Sequence, residues 1–228
     1  EATSHTGATP GRSMLHSLPT GFSIDQTHHI RDPHGMMGQK LGVDMHVATS
    51  DDYAVRNLML AVERCHLNVE AVVASPYASG LSVLVDDEAE MGVAIIDIGG
   101  GTTSMGVFAN GVFVHNDAIA VGGNHVTMDI ARGLSTSVSH AERLKTLHGS
   151  TLASSSDEHE TVAVAAVDED DRDRVTHIPR SQLIRIIRPR VEEILELVRD
   201  RLKASGFSEA VGRRIVLTGG GAQMTGLV

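Results

Sequence analysis

Apolar residues near the start of the chain alternate with polar or small ones, which is the spacing of a strand with one buried face. Val43, Met45 and Val47 are the clearest case. Shorter extended stretches are predicted at residues 14–18 and 22–24. The sequence therefore predicts strands before residue 50.

Between residues 50 and 75 the spacing becomes helical. Ser50 or Asp51 can cap a helix whose apolar residues recur at intervals of three and four. These residues are Val55, Leu58, Met59, Val62 and Cys65. A strand over residues 69–73 and a helix that begins at Ser75-Pro76 follow. The order strand, helix, strand, helix predicts an α/β fold.

The middle of the chain predicts a hairpin and a helix. Asn110-Gly111 separates apolar runs at residues 104–109 and 112–115, and this dipeptide suits a tight hairpin because both residues tolerate a positive φ. Another short strand is predicted at residues 118–121, followed by a helix that ends near Asp129.

A long amphipathic helix dominates the last part of the chain. Its apolar residues step by three or four, and they are Leu183, Ile187, Val191, Ile194, Val198 and Leu202. Pro189 should kink or divide this helix, and Gly206 can end it. A short helix is predicted at residues 140–148, the least structured part at 150–178, and a buried strand at 215–217.

Composition narrows the classes of function. With 41% hydrophobic residues among 228, the chain can bury a sizeable core. The net charge of −10 comes from residues 86–90 and 157–173, both predicted to be solvated loops, and the remainder has 17 acids and 18 bases. Without a basic face, and with only six Phe and Tyr residues, nucleic-acid binding is excluded as a function.

The single thiol and the histidines indicate neither a disulfide nor a zinc site. Cys65 cannot form an intramolecular disulfide, which favours a reducing, cytoplasmic compartment, and its place in the helical stripe predicts a small core residue. His28, His29 and His34 lie near Asp32, but their spacing matches no zinc pattern, so a solvated loop is expected there.

A glycine-rich loop, I-I-D-I-G-G-G-T-T at residues 95–103, ends a continuously apolar run that predicts a buried strand. A carboxylate is costly there unless something requires it, and three successive glycines let backbone amides approach an anion. Thr102 and Thr103 add hydroxyls, and Asp97 could hold hydrated magnesium or orient a water. The pattern predicts a phosphate-binding hairpin; a structural turn with Asp97 held by loop amides is the alternative.

Two more glycine clusters follow predicted strands, Gly122-Gly123-Asn124 and L-T-G-G-G-A-Q-M-T-G at residues 217–226. The first loop is not a P-loop, since no Lys follows its glycines, and the dinucleotide pattern G-x-G-x-x-G fails at Ser104. One such turn can be purely structural, but three at strand ends in one α/β chain predict a phosphate-binding site.

The loop at residues 95–103 resembles the second phosphate motif of the actin-like ATPase superfamily, and V-L-T-G-G-G-A-Q at residues 216–223 resembles its adenosine motif. Other segments resemble the FtsA family of bacterial cell-division proteins. They are V-E-R-C-H-L-N-V-E at 62–70, A-V-G-G-N-H-V-T-M-D-I-A at 120–131, A-E-R-L-K-T-L-H-G at 141–149 and I-I-R-P-R-V-E-E-I at 186–194.

The resemblance implies an α/β fold with actin-like (ribonuclease-H-like) nucleotide-binding lobes and the FtsA-type extra subdomain. The domains implied are a loop at 1–12, the extra subdomain at 13–75, a helix and acidic connection to the first lobe at 76–91, the second nucleotide-binding lobe at 92–135 and 190–228, and its small partner subdomain at 136–189.

The resemblance also implies ATP and Mg as cofactors, with magnesium near Asp97 through water. The implied nucleotide-binding residues are Asp97, Gly99, Gly100, Gly101, Thr102 and Thr103 at the phosphates, Gly122, Gly123 and Asn124 at the phosphates or ribose, Glu142 and Lys145 at the ribose or adenine, and Gly219, Gly220 and Gly221 under the adenosine. The alternative for Glu142 and Lys145 is a solvated ion pair worth about half a kcal/mol.

Four arginines mark a possible docking site on the long helix, at the segment where the resemblance places the C-terminal peptide of the tubulin-like protein FtsZ. They are Arg180, Arg185, Arg188 and Arg190. Arginine can pair bidentately with carboxylates, although a solvated helix face is the alternative.

The function implied is an actin-like ATP-binding scaffold that self-associates into filaments, binds FtsZ and other division proteins, and links the Z ring to the cytoplasmic face of the inner membrane at the division site. FtsA-like chains also carry a first phosphate loop and a membrane-binding tail, which we expect outside these 228 residues. No residue stands out as a general base, so at most weak ATPase activity is expected. A phosphotransferase or sugar kinase of the same superfold, or an actin-like pilus or shape protein, remains the alternative.

Overall fold

A computed structural model describes residues 10–166 and 175–227, within which the chain divides into two compact units. The first unit comprises the described residues up to Ala94, together with Gly106–Asn116 and Ala210–Arg214. The second comprises Ile95–Met105, the described residues of Asp117–Glu209, and those from Ile215 onward. Residues 1–9 of the predicted loop and 167–173 of the acidic stretch lie outside the described residues.

A three-stranded antiparallel sheet forms the start of the first unit, with the order β2-β1-β3. Its strands are β1 (Arg12–Ile24), β2 (Thr27–Ile30) and β3 (Leu41–Asp51). The pairing of β1 with β3 runs from Arg12↔Asp51 to Ile24↔Leu41. The strands predicted before residue 50 are therefore confirmed, and the two short stretches belong to one long strand.

The helix predicted after residue 50 is α1 (Asp52–Glu63), and the Asp51 carboxylate caps it by accepting a hydrogen bond from the amide of Ala54 at 3.1 Å. None of its residues is buried, and Leu58 is 60% exposed. The prediction that Cys65 is a core residue is wrong: the helix ends at Glu63 and the thiol is exposed beyond it.

Two further predictions before residue 92 are corrected. Residues 69–73 form no strand, because no sheet in the described chain offers this segment a hydrogen-bonding partner. Helix α2 (Ser75–Val83) follows, and the acidic stretch at 86–90 belongs to a short helix, α3 (Asp86–Met91), not to a loop. Acids favour a first helical turn because they face its unpaired amides.

A four-stranded sheet with the order β6-β5-β4-β9 carries the glycine loops. Its strands are β4 (Val93–Ile98), β5 (Thr103–Ala109), β6 (Val112–Ile119) and β9 (Ile215–Thr218). Asn110 and Gly111 have the positive φ values of 54° and 75° expected for the hairpin turn. The strands predicted at 112–115 and 118–121 are one strand.

The prediction that residues 215–217 form a buried strand is right about the strand and wrong about its burial. Ile215 is 53% exposed. The reason is the position of β9, which is the last strand of its sheet and has only one strand neighbour. By contrast, β4 lies between β5 and β9 and is buried almost throughout, as its continuous apolar run predicted.

Helices α4 (Gly123–Gly133), α5 (Val138–His148) and α6 (Arg180–Ala204) pack together in the second unit. Their fully buried side chains include Ile130, Leu183 and Ile187. Helix α6 runs through Pro189 without being divided, because the proline lies on the exposed side while the apolar stripe is held in the core.

The region predicted as least structured, at residues 150–178, contains a 3₁₀ turn and two strands. Strands β7 (Thr161–Ala165) and β8 (Val175–Pro179) pair antiparallel, from Thr161↔Pro179 to Ala165↔Val175. A single 3₁₀ turn (Ser155–Glu158) precedes them, and helix α7 (Ser208–Val211) precedes β9. Among the described residues, no helix has the length and apolar character needed to cross a bilayer.

Candidate functional site

Two of the three glycine clusters are joined by backbone hydrogen bonds in the second unit. The amide of Gly123 donates to the carbonyl oxygen of Gly99 at 2.9 Å, and the amide of Asn124 donates to that of Gly100 at 2.7 Å. The loop that ends β4 is therefore fixed against the first turn of α4. These first-turn amides are occupied, so what this N-terminus offers a nearby anion is the positive end of the helix dipole.

Gly122 explains how the two loops come so close. A Cβ atom at this position would lie 2.5 Å from the carbonyl oxygen of Gly99 and 2.8 Å from that of Gly100. Its φ of −162° is open to any residue. Space, rather than backbone conformation, is therefore what requires glycine here.

The third cluster packs against the end of β4. Gly219 has a φ of +85°, and any side chain there would collide with the carboxylate of Asp97. Gly221 approaches the side chain of Ile98 in the same way. The three clusters, far apart in sequence, therefore meet around the end of one buried strand.

A cavity of about 410 Å³ lies between these loops and helix α5. Its lining includes the predicted residues Gly99, Gly100, Gly123, Asn124, Glu142, Lys145, Gly220 and Gly221. It also includes residues that sequence reasoning missed, namely Thr146, Gly149, Gln223, Met224 and Thr225. All five lie within the segments at residues 141–149 and 217–226. The sequence could have indicated them through their position beside residues already predicted to bind the nucleotide.

The remaining predicted residues do not line the cavity. These are Asp97, Gly101, Thr102, Thr103, Gly122 and Gly219. Thr103 is buried, and its hydroxyl donates to the carbonyl oxygen of Val121 at 2.8 Å. This hydrogen bond links β5 to the residues that immediately precede α4. Gly122 and Gly219 act through close backbone approach, as described above.

A polar network joins α4 and α5 beside the cavity. The Lys145 ammonium lies 2.7 Å from Oε2 of Glu142, 2.9 Å from the hydroxyl of Thr127 and 3.2 Å from the carbonyl oxygen of Gly123. The Lys145 side chain is only 12% exposed. This pair is therefore not an ordinary solvated surface ion pair.

The network holds Glu142 in its ionised form. Partial burial would raise the pKa of Glu142, but hydrogen bonds from Lys145 and Thr127, with the nearby positive charge, outweigh it and lower the pKa below the usual value. The cavity lining therefore combines glycines from all three clusters with an acceptor-only carboxylate.

The chain also matches models of a known protein family. Residues 94–228 match the family model described as "Cell division protein FtsA", and residues 1–49 match "SHS2 domain inserted in FTSA". The chain belongs to the FtsA family.

Curated FtsA relatives support this membership. The chain is 58% identical over 226 residues to "Cell division protein FtsA" of Rhizobium meliloti (strain 1021), covering 99% of this chain and 51% of the relative. It is 37% identical over 216 residues to that of Pseudomonas aeruginosa (strain PAO1), covering 94% of this chain and 51% of the relative. The chain thus spans about half the length of these curated relatives.

Solved structures show the same actin-like fold. "MreB5 of Spiroplasma citri bound to ADP" superposes with a TM-score of 0.64 at 20% identity, covering 77% of this chain and 56% of that one. The "PilM-PilN type IV pilus biogenesis complex" gives a TM-score of 0.64 at 17% identity, covering 100% and 55%. The fold class expected from the sequence, with its FtsA-type inserted domain, is confirmed.

Two of the four candidate docking arginines of this FtsA-family chain are engaged inside their own unit. Arg180 lies 2.8 Å from the buried carboxylate of Asp157 and donates to the carbonyl oxygen of His148 at 3.0 Å. Arg190 lies 2.6 Å from Asp129, and the hydrogen bond that its guanidinium donates to this carboxylate raises the pKa of Arg190.

The other two arginines are exposed on one face of α6. Arg185 is 74% exposed, and its guanidinium is 4.0 Å from Glu158. Arg188 is 57% exposed and pairs with Glu192 one turn away at 2.7 Å. Exposed pairs of this kind are worth little, so both guanidinium groups can exchange partners readily.

Proposed function

We propose that this chain is the nucleotide-binding part of an FtsA-type scaffold that uses ATP with magnesium to control its assembly in cell division. In this proposal the protein self-associates into filaments, binds FtsZ and other division proteins, and links the Z ring to the cytoplasmic face of the inner membrane. The membrane contact is made by a tail beyond Val228. The family membership supports the division role in general terms.

One observation carries the nucleotide proposal. Three glycine segments converge on a cavity of about 410 Å³ that also presents the ionised Glu142. Glycine amides suit phosphate oxygens, and a carboxylate suits hydroxyl or amino donors. The related MreB5 structures are described as bound to ADP and AMPPNP, which supports the choice of an adenine nucleotide.

Magnesium fits the same arrangement through Asp97. Asp97 is the second-last residue of β4, and its carboxylate lies beside Gly219 of the third glycine loop. Magnesium usually keeps several waters and needs only one or two protein carboxylates together with phosphate oxygens. No group of three or more His, Cys, Asp or Glu side chains in the described chain forms a metal cage, so phosphates would complete the coordination.

ATP acts here mainly as a conformational ligand, with at most weak hydrolysis. A ligand shifts an assembly equilibrium by its differential affinity for the two states, and no chemical step is required. Among the residues that line the cavity, the acidic side chain is Glu142, whose Oε2 is already engaged by Lys145 and Thr127. The lowered pKa of Glu142 makes this carboxylate a weak general base, which agrees with little hydrolysis.

The domain assignment follows the same proposal. Residues 13–75 form the extra subdomain, 76–91 the connection, 92–135 with 190–228 the second nucleotide-binding lobe, and 136–189 its partner subdomain. The match of residues 1–49 to the inserted-domain model supports the first assignment. The residues that line the cavity come from both segments of the proposed second lobe and from its proposed partner subdomain.

Removing the Asp97 carboxylate tests the proposal. In the full-length protein, Asp97→Ala should weaken binding of ATP with magnesium at least tenfold, about 1.4 kcal/mol, measured by isothermal titration calorimetry. Asp117→Ala is the matched control, because Asp117 lies in the same sheet but pairs with Arg201 outside the cavity. If Asp97→Ala binds ATP with wild-type affinity, the magnesium assignment is contradicted. If the wild-type protein does not bind ATP, the nucleotide proposal is contradicted.

A further inference from the structure

Thr127 occupies the centre of the network beside the cavity, although its residue type drew no attention in the sequence. It lies on α4 and is 3% exposed. Its hydroxyl oxygen is 2.5 Å from Oε2 of Glu142, 2.9 Å from the Lys145 ammonium and 3.1 Å from the carbonyl oxygen of Gly123. One small buried side chain therefore touches three groups of the proposed nucleotide site.

The hydrogen-bond inventory fixes what each group can do. A hydroxyl has one proton, which here goes to the closer acceptor, Glu142, while the oxygen accepts from Lys145. The ammonium has three protons, and Gly123, Thr127 and Glu142 supply three acceptors for them. The Thr127 hydroxyl therefore bridges the carboxylate of Glu142 and the ammonium of Lys145.

Glu142 is placed differently. The contacts found for its carboxylate in the described chain all reach Oε2, from Lys145 and Thr127. Its side chain is 46% exposed and lines the cavity. Oε1 is therefore left to accept a hydrogen bond from a ligand.

We infer that Thr127 is a positioning residue, which holds the carboxylate of Glu142 toward the cavity so that Oε1 can accept a hydrogen bond from the ligand. The donor it would accept from is a hydroxyl or amino group of the nucleotide. This inference rests on the proposed nucleotide binding and deepens it, because it gives a role in the site to Thr127, a residue that does not itself line the cavity. A carboxylate fixed in advance loses less rotamer freedom when the ligand binds.

A double-mutant cycle in the full-length protein tests the positioning role, with calorimetric titration of ATP and magnesium. Thr127→Val removes the hydroxyl and keeps the shape, and it should weaken binding about tenfold. Thr127→Ser keeps the hydroxyl and should bind within twofold of wild type. In a Glu142→Ala background, Thr127→Val should add less than a twofold loss, because its effect passes through the carboxylate.

Thr136→Val is the matched control for a merely structural role. Thr136 is also buried in the second unit, and its hydroxyl donates to the carbonyl oxygen of Ala165 at 2.6 Å, away from the cavity lining. It should lower the melting temperature to a similar extent while leaving ATP affinity unchanged. If Thr127→Val does not fold, Thr127→Ala serves in the same cycle, since it adds no atoms.

The outcomes separate this inference from the proposed function. Wild-type affinity in Thr127→Val, or independent multiplicative losses from Thr127→Val and Glu142→Ala, would overturn the positioning role while nucleotide binding stands. Absence of ATP binding by the wild-type protein would instead overturn the proposed function. A tenfold loss that Thr127→Ser fails to restore would also count against the positioning role.

Discussion

Asp157 is 1% exposed, and its ionised partner Arg180 is what makes that burial tolerable. The guanidinium lies 2.8 Å from the carboxylate and also bonds the carbonyl oxygen of His148 at 3.0 Å. Sequence reasoning placed Asp157 in a solvated acidic loop and Arg180 in a docking site. Neither prediction could foresee the pairing, because the two residues meet only when the 3₁₀ turn packs beside the start of α6.

Loss of one partner from this buried pair should cost far more than loss of an exposed pair. We expect Arg180→Met to lower the free energy of unfolding by about 3 kcal/mol, because it leaves an uncompensated buried carboxylate. Arg188→Met, on the exposed face of the same helix, should change it by less than about 0.5 kcal/mol. Urea denaturation of both variants checks this, and equal effects would contradict the assignment of Arg180 to the interior.

His16 is the second residue whose role depends on its surroundings. In the first unit its ring lies 5.6 Å from that of His46, 5.3 Å from Tyr77 and 5.9 Å from Phe113, measured between ring centres. Both of its ring nitrogens are buried, with no hydrogen-bond partner among the described residues. Burial lowers the pKa of His16. The pKa of His46 is lowered by burial and by the charges of His16 and His115.

These lowered pKa values make the first unit sensitive to acid. Below the ordinary histidine value of about 6.5, the unfolded chain binds more protons than the folded one, so stability should fall as the pH drops from 7.5 through that value. His16→Leu should raise stability and flatten this dependence, measured by urea denaturation at several pH values. The exposed His28 provides the control variant His28→Asn. The same pH dependence in His16→Leu as in wild type would contradict this explanation.

At the scale of elements, the junction between the loop after β4 and the start of α4 depends on Gly122. The two segments are bonded backbone to backbone, and no side chain fits between them. The three glycine clusters were recognised from the sequence, but their mutual contact was not. Residue types show where a chain can approach an anion, and only the packed strands show that these loops approach one another.

Gly122→Ala should lower stability by about 1–3 kcal/mol, since the added Cβ would force the two loops apart. Gly101→Ala is the matched control for stability, because a Cβ there meets nothing within 4 Å. Its effect should stay within about 0.5 kcal/mol. Thermal denaturation of both variants checks the comparison, and similar melting temperatures would show that the loops can separate at little cost.

The strands that sequence reasoning missed or misplaced share one physical cause. Strands β7 and β8 are five residues each, and β7 carries only two fully buried side chains, Val162 and Val164. Residues 69–73 have the apolar, β-branched character of a strand but pair with no strand in the part of the chain that the structure describes. A strand depends on pairing with a distant segment, whereas the spacing within α6 was sufficient to predict a long helix.

At the scale of the whole molecule, the face of α6 that carries Arg185 and Arg188 is the part of the proposed docking site that remains available. Arg180 and Arg190 are committed to Asp157 and Asp129. If FtsZ binds here through its acidic C-terminal peptide, the two exposed guanidinium groups should supply the charge recognition.

Arg185→Glu with Arg188→Glu should weaken binding of the FtsZ C-terminal peptide at least tenfold, because both cations become repulsive anions. Arg199→Glu with Lys203→Glu reverses two exposed charges elsewhere on the same helix and should leave the affinity within twofold of wild type. Fluorescence anisotropy of a labelled peptide, with a scrambled peptide as a further control, measures both. Equal losses in the two double variants would indicate a general charge effect.

The sequence by itself determined the α/β class, the resemblance to FtsA, the longer helices and the three glycine clusters, because all of these depend on local spacing and residue type. Only the tertiary structure decided which of the charged residues are buried partners and which are exposed. It also decided that Lys145 is surrounded by acceptors and that Thr127 belongs to the site. Burial and hydrogen-bond saturation depend on segments that meet across long sequence distances, and no local pattern encodes them.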